Sequence, residues 1–112
     1  MAWTLRNLAP SRSRLGCKLQ PQLIVWNPAK AVANLGKHGV DFEEAATVFR
    51  DPLLLVIPDL AHSQEEERWI ALGNSIHQLL LVVVHTEDDS TIRIISARSA
   101  DPRERRQYEQ RQ

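Results

Sequence analysis

Leu79-Leu80-Leu81-Val82-Val83-Val84-His85-Thr86-Glu87-Asp88-Asp89-Ser90-Thr91-Ile92-Arg93-Ile94-Ile95-Ser96-Ala97-Arg98 is the stretch that decides the fold. Its apolar run, Leu79 to Val84, is far shorter than the roughly 20 residues that cross a bilayer. A short continuous run of this kind suits a central strand buried on both faces. Glu87 to Ser90 is a polar turn of hairpin length leading into a second strand, Thr91 to Arg98. Strict alternation puts Arg93, Ile95 and Ala97 on one face of that strand and Ile92, Ile94, Ser96 and Arg98 on the other. Two more strands precede the hairpin, Leu53 to Ile57 and Arg68 to Leu72, separated by an acidic loop from Asp59 to Glu67. Gly73-Asn74-Ser75 reads as a turn or bulge. After the hairpin, Asp101-Pro102 with Glu104 supplies the start signals of a terminal helix, whose one large apolar group is Tyr108.

Towards the N-terminus the period changes from two to that of helices. Leu23 to Trp26 is a short strand. Asn27 then serves as an N-cap and Pro28 as a first helical residue, and Gly39 ends the helix after His38. Ala29, Val32, Ala33 and Gly36, with Leu35 beside them, form the apolar face that should meet the core. Lys30, Asn34, Lys37 and His38 form a polar stripe. A second helix starts at Asp41 and Glu44, spaced as a capping box, buries Phe42, Ala45, Ala46 and Phe49, and stops at Asp51-Pro52. The order β-α-α-β-β-β-β-α specifies an α+β domain, an antiparallel meander sheet packed on two helices. Residues 23–112 make this single compact domain. Residues 1–22 read as a basic leader, disordered or belonging to an over-extended start.

The 112 residues carry 14 Lys+Arg and 14 Asp+Glu. This neutrality is an average over segments of opposite sign. Residues 1–22 hold four basic residues and no acid, residues 38–90 hold eleven acids against two arginines, and residues 91–112 hold six arginines against three acids. Any surface for an anionic partner must therefore be local, with weak and salt-sensitive binding. One cysteine, Cys17, excludes an internal disulfide framework and suits a reducing cytoplasm. His38, His62, His77 and His85 lack metal-ligand spacing, and the four glycines form no phosphate-cradling loop, so no metal and no cofactor is expected.

What remains is a set of cations on a small sheet domain, and metal-free RNA cleavage needs little more. A base takes the ribose 2′-hydroxyl proton, cations stabilise charge building on phosphorus, and an acid protonates the leaving oxygen. Lys37, His38, Arg68, His85 and Arg98 are candidates for those roles, with Lys30, Asn34, Trp69 and Arg93 as RNA-binding candidates. Each also has a plainer reading. Trp69 is a core aromatic or a base-stacking platform, and Arg68 pairs with Glu65–Glu67 or with phosphate. His85 is a satisfied buried residue or a proton carrier. Lys37 and His38 touch phosphate or simply suit the helix C-terminus. Arg93 and Arg98 share a site only where a bulge interrupts the alternation or Arg98 lies past the end of the strand.

Trp26-Asn27-Pro28-Ala29-Lys30, Asn34, Lys37-His38-Gly39-Val40 and Phe42-Glu43-Glu44-Ala45 resemble the start of the BrnT toxin family. The resemblance continues through Phe49, Asp51-Pro52, Glu67-Arg68-Trp69, Gly73, Val83-Val84-His85-Thr86-Glu87, Arg93-Ile94-Ile95-Ser96-Ala97-Arg98, Arg105-Arg106 and Tyr108. Asn27 stands where that family usually has Asp, and Gly36 where it usually has a basic or polar residue. The resemblance implies a RelE-like fold and a ribonuclease toxin of a type II toxin–antitoxin pair that arrests translation. It implies neutralisation by a BrnA-like ribbon-helix-helix antitoxin, pairing as dimers in the complex, and contact with operator DNA only through that antitoxin. The competing reading is a non-catalytic module that acts as co-repressor with a DNA-binding antitoxin.

Overall fold

The computed structural model describes residues 4–10, 21–62 and 66–110. The strands are β1 (Thr4–Pro10), β2 (Pro21–Trp26), β3 (Leu55–Pro58), β4 (Trp69–Asn74), β5 (Leu80–Glu87) and β6 (Thr91–Ser99). The helices are α1 (Pro28–His38), α2 (Phe42–Ala46) and α3 (Pro102–Gln110), with 3-10 turns at Thr47–Arg50 and Leu60–His62. The six strands form one mixed sheet ordered β1-β2-β6-β5-β4-β3.

The apolar run becomes β5, with Leu80 to Val83 buried on both faces. β3, β4, β5 and β6 pair antiparallel in succession, as the hairpin pattern requires. β2 departs from the expected meander, because it runs parallel to β6, with Leu23 opposite Thr91 and Trp26 opposite Ile94. Ile92 and Ile94 are 1% exposed. The outer edge of β6 at such buried positions needs backbone partners, and β2 supplies them. Thr4–Pro10, expected outside the fold, form β1 and pair antiparallel with β2. Pro21 and Gln22 open β2, and the remaining leader residues, 1–3 and 11–20, lie outside the described residues.

One sheet face carries the main core. Ile24, Trp26, Ala71, Leu81, Val83, Ile92, Ile94 and Ala97 project there against Phe42, Ala45, Val48 and Phe49 of α2 and its 3-10 continuation. Trp26 and Phe42 meet edge to face with centroids 6.1 Å apart. Gly73 admits this packing, since a Cβ would come within 2.8 Å of the Leu54 side chain and 3.4 Å of the Val48 carbonyl. β4 therefore runs through Asn74, and the turn is one step later, closed by Ser75 accepting from Gln78 and donating to Leu79. Gln78 takes the left-handed conformation there, at φ 64°.

Helix α1 begins and ends where the sequence indicates. Asn27 Oδ1 accepts from the Ala29 amide at 2.8 Å, and Gly39 sits at φ 71°. Its orientation is reversed. Ala29, Val32, Ala33, Leu35 and Gly36 are all exposed, Val32 at 73%. The residues turned to the sheet are Ala31 and the buried Asn34. Asn34 Nδ2 donates to the carbonyls of Val40 and Ala97 at 3.0 and 2.9 Å, and its Oδ1 accepts from the Ala97 amide at 3.1 Å. Directed hydrogen bonds in a buried site outweigh the burial of a few small apolar groups, so they set the roll of the helix.

The two acid–acid start signals behave differently. Asp101 and Glu104 form the reciprocal box, with each backbone amide donating to the other's carboxylate at 2.8 and 2.9 Å. Asp41 caps α2 through the Glu43 amide, but Glu44 turns away to the β4–β5 turn. α3 rests on the opposite sheet face, where Tyr108 packs with Leu72, Leu80 and Val82. Its hydroxyl donates to Asp51 Oδ2 at 2.5 Å, and the same oxygen accepts from the Asn74 amide at 2.8 Å.

Asn34→Ala leaves the Ala97 amide and carbonyl without their side-chain partner and should cost about 2–4 kcal/mol, read by chemical denaturation. Gly36→Ala should stabilise by up to about 1 kcal/mol, because the position is helical, exposed and open to a methyl group.

Candidate functional site

β6 does not alternate strictly. Val84 faces Ser96 and His85 faces Ile94, so Ile95 is an extra residue in β6. The bulge resets the alternation. Arg93, opposite Thr86, and Arg98, opposite Val82, consequently lie on the same face, the one that α3 partly covers. Four residues of β5 separate their partners, or about 13 Å along the sheet.

Arg68 joins them from the neighbouring strand. Trp69 pairs with His85, so Arg68, one residue earlier, faces the same side as Thr86 and Arg93. The backbone continues the ladder there, with the Asp59 amide donating to the Arg68 carbonyl at 2.9 Å. Arg68, Thr86 and Arg93 thus form a row across three strands. Arg93 Nε donates to Thr86 Oγ1 at 3.2 Å, and its Nη2 pairs with Glu66 at 2.6 Å. Arg68 Nη2 approaches the other Glu66 oxygen at 3.9 Å. Glu66 therefore stands between two guanidiniums on a half-exposed surface. The sequence offered Glu65–Glu67 as a partner for Arg68, and Glu66 takes that place; its closer pair with Arg93 depends on a strand distant in sequence and had no local signal.

Arg98 lies further along the same face and is held by Glu104 in a two-pronged pair at 2.9 and 2.8 Å. The hydrogen bond to Glu104 raises the Arg98 pKa, and the bond to Arg98 lowers that of Glu104. Arg98 is thus anchored against the start of α3.

The remaining candidates are elsewhere. His85 is 0% exposed, on the helix-covered face. Its Nε2 bonds Glu87 at 2.8 Å and its ring meets Phe49 edge-on at 4.9 Å. Trp69, half-buried, shares that face. Asn34 spends its amide on the backbone of Val40 and Ala97. Lys30, Lys37 and His38 are exposed on α1, across the sheet from the arginine row. Of the nine candidates, the fold brings Arg68, Arg93 and Arg98 to one surface.

A second cluster joins α2 to the β4–β5 turn. Glu44 accepts from the Ser75 hydroxyl and pairs with His77 Nδ1 at 2.6 Å. The Ser75 hydrogen bond is the main cause that holds the Glu44 carboxyl below its usual range. A cavity of about 330 Å³ beside it is lined by Asp41, Glu43, Glu44, Thr47, Ile76 and His77. Among the described residues no group of three or more His, Cys, Asp or Glu stands together to hold a metal ion. No helix among them is long and apolar enough to cross a membrane.

The fold and site define a small α+β protein whose mixed sheet packs α1 and α2 on one face and carries a row of cations beside α3 on the other. The chain belongs to the BrnT family, the ribonuclease toxins of type II toxin–antitoxin systems, whose family model matches residues 26–104. It is similar to the Brucella abortus ribonuclease toxin BrnT, known from a 1.1 Å crystal structure, with 25% identity and a TM-score of 0.52. That similarity covers 68% of this chain and 92% of the Brucella chain. No curated protein matches the chain.

The depressed Glu44 pKa carries a sign. A carboxylate whose folded pKa lies below its unfolded value stabilises the fold above the unfolded value of about 4.3, and loses that contribution as pH falls through the folded one. Glu44→Gln should therefore lower the thermal midpoint at pH 7, with the gap from wild type closing as a thermal-melt series descends below about pH 4.

Proposed function

We propose that this chain is a metal-independent endoribonuclease whose RNA site is the open sheet face carrying Arg68, Thr86 and Arg93, with Arg98 at its far end. The observation that carries the reading is the bulge at Ile95, which turns both β6 arginines to the side of Arg68. Two guanidiniums flanking a hydroxyl suit a phosphodiester, whose charge grows as the 2′-oxygen attacks. The separation of Arg93 and Arg98 is too long for a single phosphate and suits two phosphates of one strand with another between them.

In the reaction the 2′-oxygen bonds to phosphorus and the bond from phosphorus to the 5′-oxygen breaks, leaving a 2′,3′-cyclic phosphate and a 5′-hydroxyl. Glu66 is the carboxylate placed to take the 2′-hydroxyl proton once phosphate displaces it from Arg93. Water protonates the departing oxygen. His85 has no part in this scheme, because burial separates it from the surface. Lys30, Lys37 and His38 contribute at most to the outer path of the RNA.

The wider setting follows from family membership. A toxin of this class has an antitoxin, and we take it to be a BrnA-like ribbon-helix-helix protein that neutralises the toxin in the cytoplasm and carries the pair to operator DNA. Translation arrest follows from message cleavage, as for RelE-like toxins. The toxin domain includes the whole sheet, with β1 at Thr4–Pro10 added to the edge of β2.

Purified protein should cleave RNA in EDTA and leave 2′,3′-cyclic phosphate ends. Arg93→Ala should reduce turnover by about 10²–10³, the usual cost of one donor to a developing oxyanion. Glu66→Gln should lose about 10²–10⁴ while still binding RNA, as expected for a missing base. Full cleavage by Glu66→Gln would reduce that residue to a spacer between the arginines. A folded wild-type protein that leaves RNA intact would favour the co-repressor reading.

A further inference from the structure

Helix α1 presents its apolar stripe to solvent. Ala29, Val32, Ala33 and Gly36 cover two turns of its outer surface, with Leu35, 51% exposed, on one shoulder. The three bonds from Asn34 to Val40 and Ala97 hold the helix in this roll, so the stripe cannot turn inward without leaving buried backbone groups unpaired.

Gly36 sharpens the observation. It is helical, its φ is not positive, and a Cβ built there meets nothing within 4 Å. Neither backbone conformation nor packing among the described residues accounts for a glycine that weakens the helix. Flanked by Ala29 and Ala33, it leaves a shallow track in which the backbone of another helix can come close, while Val32 serves as the knob beside it.

The other shoulder of the stripe carries Lys30 and Lys37, and α1 contains no acidic residue. This charge disfavours a second copy of the same helix, which would bring lysine against lysine, and it favours an acidic surface. The exposed Val32 and Leu35 disfavour RNA, whose backbone gains nothing from apolar contact.

We infer that the outer face of α1 is a docking surface for an acidic amphipathic helix of the antitoxin, seated along Ala29, Val32, Ala33 and Gly36 with its carboxylates over Lys30 and Lys37. This rests on the family's antitoxin partner and not on the RNA-cleaving site, which is on the other side of the sheet. A toxin could therefore be gripped on α1 while its arginine face is blocked or left open by other parts of the partner.

The test uses the full chain and, as probe, the antitoxin that suppresses its growth arrest on co-expression. Affinities are measured for wild type, Val32→Asp and Gly36→Leu, both substitutions at positions open to solvent. Each should weaken binding by about tenfold or more with the RNA cleavage of the wild type retained, the thermal midpoint of Gly36→Leu lying at or above that of the wild type. Lys30→Glu with Lys37→Glu should also weaken binding, by a factor that shrinks as salt rises to about 0.5 M.

Unchanged affinity in both Val32→Asp and Gly36→Leu would overturn the inference and leave the family partner intact. A wild-type chain that binds no antitoxin would overturn both. If Val32→Asp instead converts a dimer of the free chain to monomer, a second copy occupies the face. If it abolishes RNA cleavage with antitoxin binding kept, RNA occupies it; either result overturns the inference.

Discussion

A single side-chain amide does the work of a missing strand. β2 pairs with β6 only as far as Trp26 and Ile94, and there the chain leaves the sheet to begin α1. Ala97, three residues further along β6, would have its outward amide and carbonyl buried without a ladder. Asn34 reaches back from α1 and meets both, as a neighbouring peptide group would. The substitution is chemically close, because a carboxamide carries the same donor and acceptor as a backbone unit. It holds the segment of β6 just beyond the bulge, ties α1 to the sheet and sets which way α1 faces.

Two consequences on opposite sides of the sheet trace to this region. On one side the bulge at Ile95 shifts the alternation, so that Arg93 and Arg98 share a face with Arg68. On the other side the fixed roll of α1 turns an apolar stripe outward. The sheet thus carries a charged face and the helix an apolar one, two surfaces of different chemistry.

α3 connects these matters to the free state of the site. It is a polar helix held by one aromatic, Tyr108, by the bond from its hydroxyl to Asp51, and by the pair of Glu104 with Arg98. Glu104 serves twice, as the returning half of the Asp101 capping box and as the partner of Arg98. Local helix start and long-range anchoring are therefore coupled through one carboxylate.

Much of this was legible in the residues. The helix starts at Asn27-Pro28 and Asp101-Pro102, the stop at Gly39 and the apolar run of β5 are local signals, because capping bonds and turn conformations involve neighbours in the chain. The family resemblance was likewise carried by blocks of sequence. Only the tertiary structure decided that β2 lies parallel to β6, that Glu44 reaches Ser75 and His77 instead of closing its own cap, that His85 is sealed in the core and that the apolar face of α1 looks outward. Each of these depends on a partner distant in sequence: the β6 edge for β2, Ser75 and His77 for Glu44, the Phe49 ring for His85 and the Ala97 peptide group for α1. Periodicity counts apolar side chains but does not register one buried asparagine whose bonds outweigh them, or one extra residue in a strand that reverses every face beyond it.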